Sequence, residues 1–193
     1  PSDRCTASGT WDASIKGADQ VVNAIDVQSD GKVVLGGGFR HLNGQPLGTI
    51  GRLDPGGGLD LSFKPEVTST IYALAAQPDG KILVGGYFTE MNGQPRAHIA
   101  RLNSNGTLDT TFDPGTDGWV YALAVQPDGK ILVGGSFTTV DEQPQRYLAR
   151  LNSDGSLDAS FDPVLNKMVW AVTVQPDGQV LAGGNFTTVD GQP

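Results

Sequence analysis

One sequence motif occurs four times along this chain. The stretch ALAVQPDGKILVGGSFTTV, residues 122–140, nearly repeats ALAAQPDGKILVGGYFTEM, residues 73–91, and looser copies begin at Ala24 and Ala171. Each copy carries an Asp-Gly pair, and successive pairs are 49 residues apart, which is a period typical of propellers and solenoids, where each repeat buries its apolar faces against its neighbours. The pairs begin at Asp30, Asp79, Asp128 and Asp177.

Each repeat contains two predicted hairpins. Around the first Asp-Gly pair lie runs such as IYALAAQ and KILVGGYF, which we name strands A and B, and Asp-Gly favours a tight hairpin because that turn needs positive φ. Strands C and D follow, as in HIARLNSNGTLDTTF at 98–112 and YLARLNSDGSLDASF at 147–161. No segment has the apolar period of a helix. We therefore predict an all-β protein, a β-propeller of about four blades with four antiparallel strands in each.

The two ends of the chain complement each other in this scheme. The last repeat stops after strand B, and RCTASGTWDASI at 4–15 aligns with the C–D hairpin RLNSNGTLDTTF at 101–112. We predict a single domain whose N-terminal hairpin completes the C-terminal blade and closes the ring, because closure removes open sheet edges. The alternative is that the chain is a piece of a longer array. The predicted units are 1–20, 21–66, 67–115, 116–164 and 165–193, with the first and last sharing one blade.

Charge and composition restrict the partners. Thirteen basic and 21 acidic residues give a formal net charge of −8, which would repel both a phosphate backbone and an anionic membrane. No apolar run approaches the ~18 residues of a membrane span. Cys5 is the only cysteine, so neither an intrachain disulfide nor a cysteine-based zinc site can form. We therefore predict no nucleic-acid partner and no membrane span, and we expect a monomer, with a shared-blade oligomer as the alternative.

Residues that recur in every repeat are predicted to serve folding. A Gly-Gly pair ends each strand B, and its recurrence indicates close approach of neighbouring sheets. A phenylalanine two residues later is predicted to lie in the core between blades. The glycine pairs begin at Gly36, Gly85, Gly134 and Gly183, and the aromatic residues are Phe39, Phe88, Phe137 and Phe186. Recurring arginines are the predicted charge partners of recurring aspartates: Arg4, Arg52, Arg101 and Arg150 with Asp12, Asp60, Asp109 and Asp158.

The motif blocks resemble a known repeat family. ALAVQPDGKILVGGSFT at 122–138 and RLNSDGSLDASFDP at 150–163 resemble the bacterial delta-60 repeat family, and the resemblance covers nearly the whole chain. It implies a β-propeller in a large secreted or surface protein, with no assigned catalytic residues and no cofactor. The Gly-Gly pair also gives a distant similarity to kelch blades, but the Tyr and Trp that follow in kelch repeats are absent.

Residues that break the repeat are the candidates for function. The links between repeats differ most, and function tends to lie on variable loops held by a rigid frame. Three links deliver an aromatic residue to the start of strand A, where it could stack on a sugar ring; packing between blades is the alternative. Two arginines in the B–C loops could act as hydrogen-bond donors. The predicted ligand-binding residues are Tyr72, Tyr121, Trp170, Trp119, Asp117, Arg96 and Arg146.

The sequence favours a binding protein over an enzyme. We expect a non-enzymatic extracellular binding or scaffold propeller, secreted or at the cell surface, with a glycan or protein ligand on the loop rim and a lectin-like, carbohydrate-binding role as the finer expectation. One alternative is a polysaccharide hydrolase or lyase that uses Asp19, Glu66 and Asp117, and another is a purely structural repeat module. His41 and His98 fit neither a catalytic triad nor a zinc site, so we predict no catalytic residue, no metal and no cofactor.

Overall fold

The computed structural model describes residues 17–67 and 69–193, and the secondary structure in these ranges is strand without helix. No helix suited to crossing a bilayer therefore occurs in the described part of the chain. The all-β prediction is confirmed. In chain order the strands are β1 Val22–Val27, β2 Val33–Gly37, β3 His41–Leu42, β4 Gln45–Pro46, β5 Ile50–Leu53, β6 Ile71–Ala76, β7 Ile82–Gly86, β8 Glu90–Met91, β9 Gln94–Pro95, β10 Ile99–Leu102, β11 Val120–Val125, β12 Ile131–Gly135, β13 Thr139–Val140, β14 Gln143–Pro144, β15 Leu148–Leu151, β16 Val169–Val174 and β17 Val180–Gly184.

Three repeats form an antiparallel sheet of three strands with strand B in the centre. The orders are β1-β2-β5, β6-β7-β10 and β11-β12-β15, and the described part of the fourth repeat forms the hairpin β16-β17. The Asp-Gly hairpins are where the sequence predicts them. Strand D is present as a single bridge to strand C, as between Leu102 and Leu108, because the chain turns away at the next residues to form the link.

A small two-stranded ribbon follows strand B in three repeats, and the sequence analysis missed it. The ribbons are β3-β4, β8-β9 and β13-β14. Two residues at the tip have positive φ, such as Asn92 at 51° and Gly93 at 71°, which is the conformation of a tight hairpin turn. Each ribbon bridges to the link before strand A of its own repeat, as Met91 does to Val67. The ribbons therefore hold the variable links in place.

The repeats pack side by side along their A strands. β1 packs against β6, β6 against β11, and β11 against β16. The apolar face of one repeat meets that of the next, as where Leu83 joins Val120 and Val133 in one buried cluster. Phe39, Phe88 and Phe137 are fully buried, as predicted, and Phe186 is half-buried.

The Gly-Gly pairs have the predicted packing role. A Cβ on Gly134 would lie 2.8 Å from Cγ1 of Val169 in the next repeat. A Cβ on Gly135 would collide with the carbonyl oxygen of Trp119 in the same repeat. The first glycine therefore admits the neighbouring blade, and the second admits the backbone that enters strand A.

The recurring arginines and aspartates form the predicted ion pairs. Arg101 Nε lies 2.9 Å from Asp109 Oδ2, and Lys81 Nζ lies 2.8 Å from the same oxygen. Arg101 Nη1 also donates a hydrogen bond to the carbonyl of Ser153 in the next repeat at 2.6 Å, so the pair joins two blades. Arg52 with Asp60 and Arg150 with Asp158 form equivalent pairs. The predicted pair of Arg4 and Asp12 lies outside the described residues.

The first and fourth repeats each present a largely uncovered sheet face. Ile25 of β1 is 58% exposed and Leu181 of β17 is 50% exposed. Within the described residues, β1 and β16 do not pack closely against each other. The predicted closing hairpin depends on residues 1–16, which lie outside the described ranges. Closure of the ring by that hairpin therefore stays a prediction.

Candidate functional site

Five aromatic side chains contact one another around the start of the A strands. We call this set the aromatic belt; its members are Tyr72, Tyr87, Trp119, Tyr121 and Trp170. Ring centroids are 4.5 Å apart for Tyr121 and Trp170, 4.7 Å for Tyr87 and Trp119, and 5.4 Å for Tyr72 and Tyr121. These separations are typical of favourable aromatic pairs. The belt therefore runs without a gap across three repeats.

A β-bulge in each A strand aims the belt residues. In β11, Val120 pairs with Gly135 and Ala122 pairs with Gly134, so Tyr121 between them has no ladder partner. The same shift in register occurs in β1, β6 and β16. A bulge turns the extra side chain away from the regular alternation of the strand. The unpaired residues are Asn23, Tyr72, Tyr121 and Trp170.

The belt is exposed at its outer members and half-buried in the middle. Trp119 is 39% exposed, Tyr87 48% and Trp170 47%. Tyr72 lies deeper. Burial has the largest effect in raising the pKa of its phenol, and the neighbouring Tyr121 and Tyr87 raise it further. Trp170 Nε1 donates a hydrogen bond to Asn185 Oδ1 at 2.9 Å, which fixes the ring. The result is an ordered apolar surface with polar edges.

Asp117, one of the predicted ligand-binding residues, orders a loop through its carboxylate. Its Oδ1 accepts hydrogen bonds from the backbone N–H groups of Thr138 at 2.6 Å and Thr139 at 2.8 Å. Burial raises the pKa of Asp117, but the hydrogen bonds from Thr138 and Thr139 outweigh it and the net pKa is lowered. Asp19 and Asn166 stand at the equivalent positions of two other repeats and accept equivalent backbone hydrogen bonds.

The two arginines do not join the belt. Arg96 is only 7% exposed; its Nη1 lies 3.2 Å from Asp113 Oδ2 and donates to the Pro95 carbonyl at 2.6 Å. An ion pair within its own repeat therefore holds Arg96 inside the fold, and its predicted role as a donor to a ligand stays a prediction. Arg146 is exposed, and no hydrogen bond or ion pair in the described residues links it to the belt.

Tyr87 and His98 were not predicted. Their rings are stacked, with planes 6° apart and centroids 6.3 Å apart. Tyr87 replaces Gly38, Ser136 and Asn185 of the other repeats, and this departure was the available signal. Burial lowers the pKa of His98, opposed by the charge of Asp117.

Two of the three carboxylates of the hydrolase alternative, those of Asp19 and Asp117, are engaged in hydrogen bonds. Asp19 Oδ1 accepts hydrogen bonds from the backbone N–H groups of Arg40 at 2.8 Å and His41 at 2.9 Å. These bonds lower the pKa of Asp19 to about 2, and the bond from His41 has the larger effect. A general acid at neutral pH needs a raised pKa, so Asp19 and Asp117 are unsuited to that role. The Glu66 N–H donates a hydrogen bond to Asn92 Oδ1, and the Asn92 N–H donates one to the Glu66 carbonyl, so both bonds involve the backbone of Glu66. The described residues contain no group of His, Cys, Asp and Glu that could hold a metal ion.

Solved structures with the same architecture are β-propellers. The WD40 propeller domain of Doa1 has 17% identity and a TM-score of 0.60, with 86% of this chain covering 48% of that one. The extracellular domain of the putative one-component system BT4673 from B. thetaiotaomicron has 14% identity and a TM-score of 0.56. The match covers 93% of this chain and 23% of that one. A putative gluconolactonase has 16% identity and a TM-score of 0.53, and the match covers 92% of this chain and 61% of that one. At these identities the likeness shows the fold alone, and the chain spans less than two thirds of each.

A family model matches all four repeats. It is described as a domain of unknown function (DUF5122) beta-propeller, and it matches residues 28–63, 77–112, 126–161 and 175–193. The first three segments hold both the A–B and the C–D hairpin turns of their repeats, and the fourth holds the A–B turn. No curated protein matches the chain. The predicted β-propeller of repeated blades is confirmed, and the chain belongs to the DUF5122 beta-propeller family.

Proposed function

We propose that this protein is a non-catalytic binding propeller whose ligand stacks on the aromatic belt. The observation that carries the proposal is the belt itself: Trp119, Tyr87 and Trp170 expose flat apolar surface. A bulge and a hydrogen bond hold the Trp170 ring, and contacts with the rings of Tyr87 and Tyr121 hold that of Trp119. Contiguous apolar surface of this kind marks interaction sites on proteins. Ordering the rings before binding reduces the entropy lost when a ligand arrives.

The ligand class that fits the belt best is a neutral carbohydrate. Sugar rings present an apolar face with hydroxyl groups at the edge, and the belt offers aromatic faces edged by tyrosine hydroxyls. The formal net charge of −8 disfavours acidic polysaccharides through simple repulsion. A lectin-like role follows, and a protein segment rich in aromatic residues is the ligand that the same surface would hold second best.

The same proposal includes action outside the cell, either secreted or at the surface of a bacterium. Support comes from the resemblance of the repeats to those of secreted and surface proteins. The extracellular domain of BT4673 shares the fold at 14% identity. A scaffold role within a larger surface protein is compatible with this location.

Binding to an array of neutral and acidic glycans tests the proposal. Trp119→Ala and Trp170→Ala should each weaken binding by about tenfold or more, equivalent to about 1.4 kcal/mol, because each removes an exposed stacking face. Trp119→Phe is the matched control, since it keeps an aromatic face and should retain most of the affinity. Thermal stability should stay close to that of the parent in all three variants, because these rings are partly exposed.

Two outcomes would contradict the proposal. Binding that survives both alanine substitutions would place the ligand away from the belt. Absence of binding to glycans and to aromatic peptides alike would favour the purely structural module.

A further inference from the structure

Three rings that vary from repeat to repeat meet at one junction, the junction between the second and third repeats. They are Tyr87, Trp119 and His98, and Tyr87 contacts Trp119 at 4.7 Å and His98 at 6.3 Å between ring centroids. In the other repeats the same positions hold Gly38, Ser136 and Asn185, then Val21, Thr70 and Met168, then Thr49 and Tyr147. Described strands pack on both sides of this junction, since β1 lies against β6 and β16 against β11. The exposed rings of Tyr87 and Trp119 are therefore at the surface with both neighbouring repeats in place.

Backbone contacts hold His98 beside the belt. Its N–H donates a hydrogen bond to the Phe88 carbonyl at 2.9 Å, and its carbonyl accepts one from the Gly86 N–H at 3.0 Å. Its φ of 66° lies in the left-handed region, and Tyr147 has the same φ at the same position of the next repeat, so the site accommodates an aromatic ring in this conformation. The imidazole plane lies within 6° of the Tyr87 ring. His98 is therefore a fixed neighbour of an exposed belt residue.

The two ring nitrogens of His98 differ in their surroundings. Nδ1 is buried and has no hydrogen-bond partner among the described residues. A neutral imidazole has one N–H donor, and burying that donor unpaired costs its full desolvation penalty. We therefore assign the proton to Nε2. The half-buried ring then offers Nε2–H as a donor beside Tyr87.

The charged groups around His98 leave its ring neutral at pH 7. Burial lowers the pKa of His98, and the opposing charge of Asp117 does not outweigh it. The Asp117 carboxylate is itself bound to the Thr138 hydroxyl and backbone. Arg96, two residues before His98, is paired with Asp113. A second proton on the imidazole would add an N–H at Nδ1, where the described residues provide no acceptor.

We propose, building on the binding function inferred above, that His98 determines which sugars the belt accepts by donating a hydrogen bond from Nε2 to an oxygen of the sugar that stacks on Tyr87 and Trp119. The two rings supply apolar contact, which many sugars can meet. A fixed donor adds selectivity, because a sugar without an oxygen at that edge leaves the donor unpaired. A stacked sugar also buries His98 further, so binding favours the neutral imidazole.

Calorimetric titration of the 193-residue chain tests the hydrogen bond. The probes are neutral hexasaccharides of glucose, mannose, galactose and N-acetylglucosamine. His98→Phe keeps a ring against Tyr87 and removes the donor, so the affinity for the probe that binds best should fall by roughly threefold to tenfold. His98→Gln returns an N–H donor without a ring and should bind more tightly than His98→Phe. Thermal unfolding of each variant verifies that it folds.

Tyr147→Phe is the matched control. Tyr147 has the position and the φ of His98 in the third repeat, where Ser136 replaces Tyr87. No exposed ring of that position stands beside it, so this variant should bind the hexasaccharides as the parent does.

The pH profile of the affinity separates a direct contact from packing. We expect the affinity of the parent to fall as the pH drops below about 6.5, the ordinary pKa of histidine, because protonation places an unpaired N–H at Nδ1. The lowered pKa of His98 puts the fall below that value. His98→Phe and His98→Gln should have flat profiles between pH 7.5 and 5, since Asp117, whose pKa is also lowered, stays charged there.

Three results would overturn the role of His98: His98→Phe binding as tightly as the parent, His98→Gln binding no better than His98→Phe, or a parent profile that is flat down to pH 5. If Trp119→Ala still weakens binding in any of these cases, the belt remains the binding site and only the role of His98 is rejected. A parent that binds none of the four hexasaccharides rejects the carbohydrate function and the role of His98 together.

Discussion

Glu142 adopts a backbone conformation that the other repeats give to glycine. Its φ is 59°, and the same position of the ribbon turn is occupied by Gly44, Gly93 and Gly191 at 77°, 71° and 75°. A left-handed conformation costs a residue with a Cβ roughly 1–2 kcal/mol. Glu142 therefore carries local strain that the three equivalent turns avoid.

Replacing Glu142 by glycine should stabilise the protein. We expect the free energy of unfolding of Glu142→Gly to rise by about 1 kcal/mol, because the strain removed exceeds the entropy that glycine adds to the unfolded chain. Urea denaturation measures the difference. Glu90→Gly, in strand β8, is the control and should lower stability, since glycine weakens a strand. Equal destabilisation by both substitutions would contradict the strain.

Single residues also show where sequence reasoning reaches its limit. Tyr72, Tyr121 and Trp170 could be predicted because they share one position of the repeat, and that position is a bulge. The burial of Arg96 was not predicted because its ion pair with Asp113 joins the B–C loop to the following link, a contact that the repeat pattern does not indicate. The repeat pattern carries information about shared positions, whereas contacts made by one repeat alone depend on the three-dimensional structure.

At the scale of elements, the A–B hairpin and the Gly-Gly pair form one unit. The tight turn fixes the register, and the register places the two glycines opposite the bulge. This unit was predictable because the Asp-Gly turn, the apolar pattern of the two strands and the repeat period all indicate the same hairpin within one short segment. The ribbons escaped prediction because strands of two residues show no alternation, although Asn92-Gly93 is a strong turn signal.

Filling the first glycine of a pair should disrupt a junction. We expect Gly134→Val to lower the free energy of unfolding by about 3 kcal/mol, because the new side chain would overlap Val169 of the next repeat. Chemical denaturation of dilute, monomeric protein measures the loss. Gly183→Val is the matched control, since the equivalent site there is open and the loss should be much smaller. If both variants unfolded alike, close approach at the junction would not explain the glycine.

At the scale of the whole molecule, buried ion pairs hold acidic residues inside each repeat in spite of the net charge of −8. The hydrogen bond from Ser62, and then that from Arg52, lower the pKa of Asp60 to about 2 against the opposing effect of burial. Burial raises the pKa of Asp109, yet hydrogen bonds from Lys81, Thr111 and Arg101 bring it well below its usual value. The charged forms of these carboxylates are therefore part of the native structure.

Acid should destabilise the protein in a defined window. The unfolded chain takes up protons at about pH 4, whereas native Asp60 and Asp109 resist them, so stability is full above about pH 4 and falls as the pH drops from there towards 2. We expect Asp109→Asn to cost about 2 kcal/mol at pH 7 and to flatten this loss. Thermal unfolding between pH 7 and 2 measures both effects. Asp162→Asn, at an exposed site, is the control; an equal effect there would argue against the buried pairs.

The identity of the three junctions also bears on how such proteins change in size. At each junction, an aliphatic residue at the start of strand A packs against the first glycine of the Gly-Gly pair in the preceding repeat. Successive glycines of this kind are 49 residues apart. A gene duplication or loss of one whole period would join existing surfaces to existing surfaces, with no new contact to evolve. The number of blades can then change by recombination alone, and one bulge position beside the belt is gained or lost with every step.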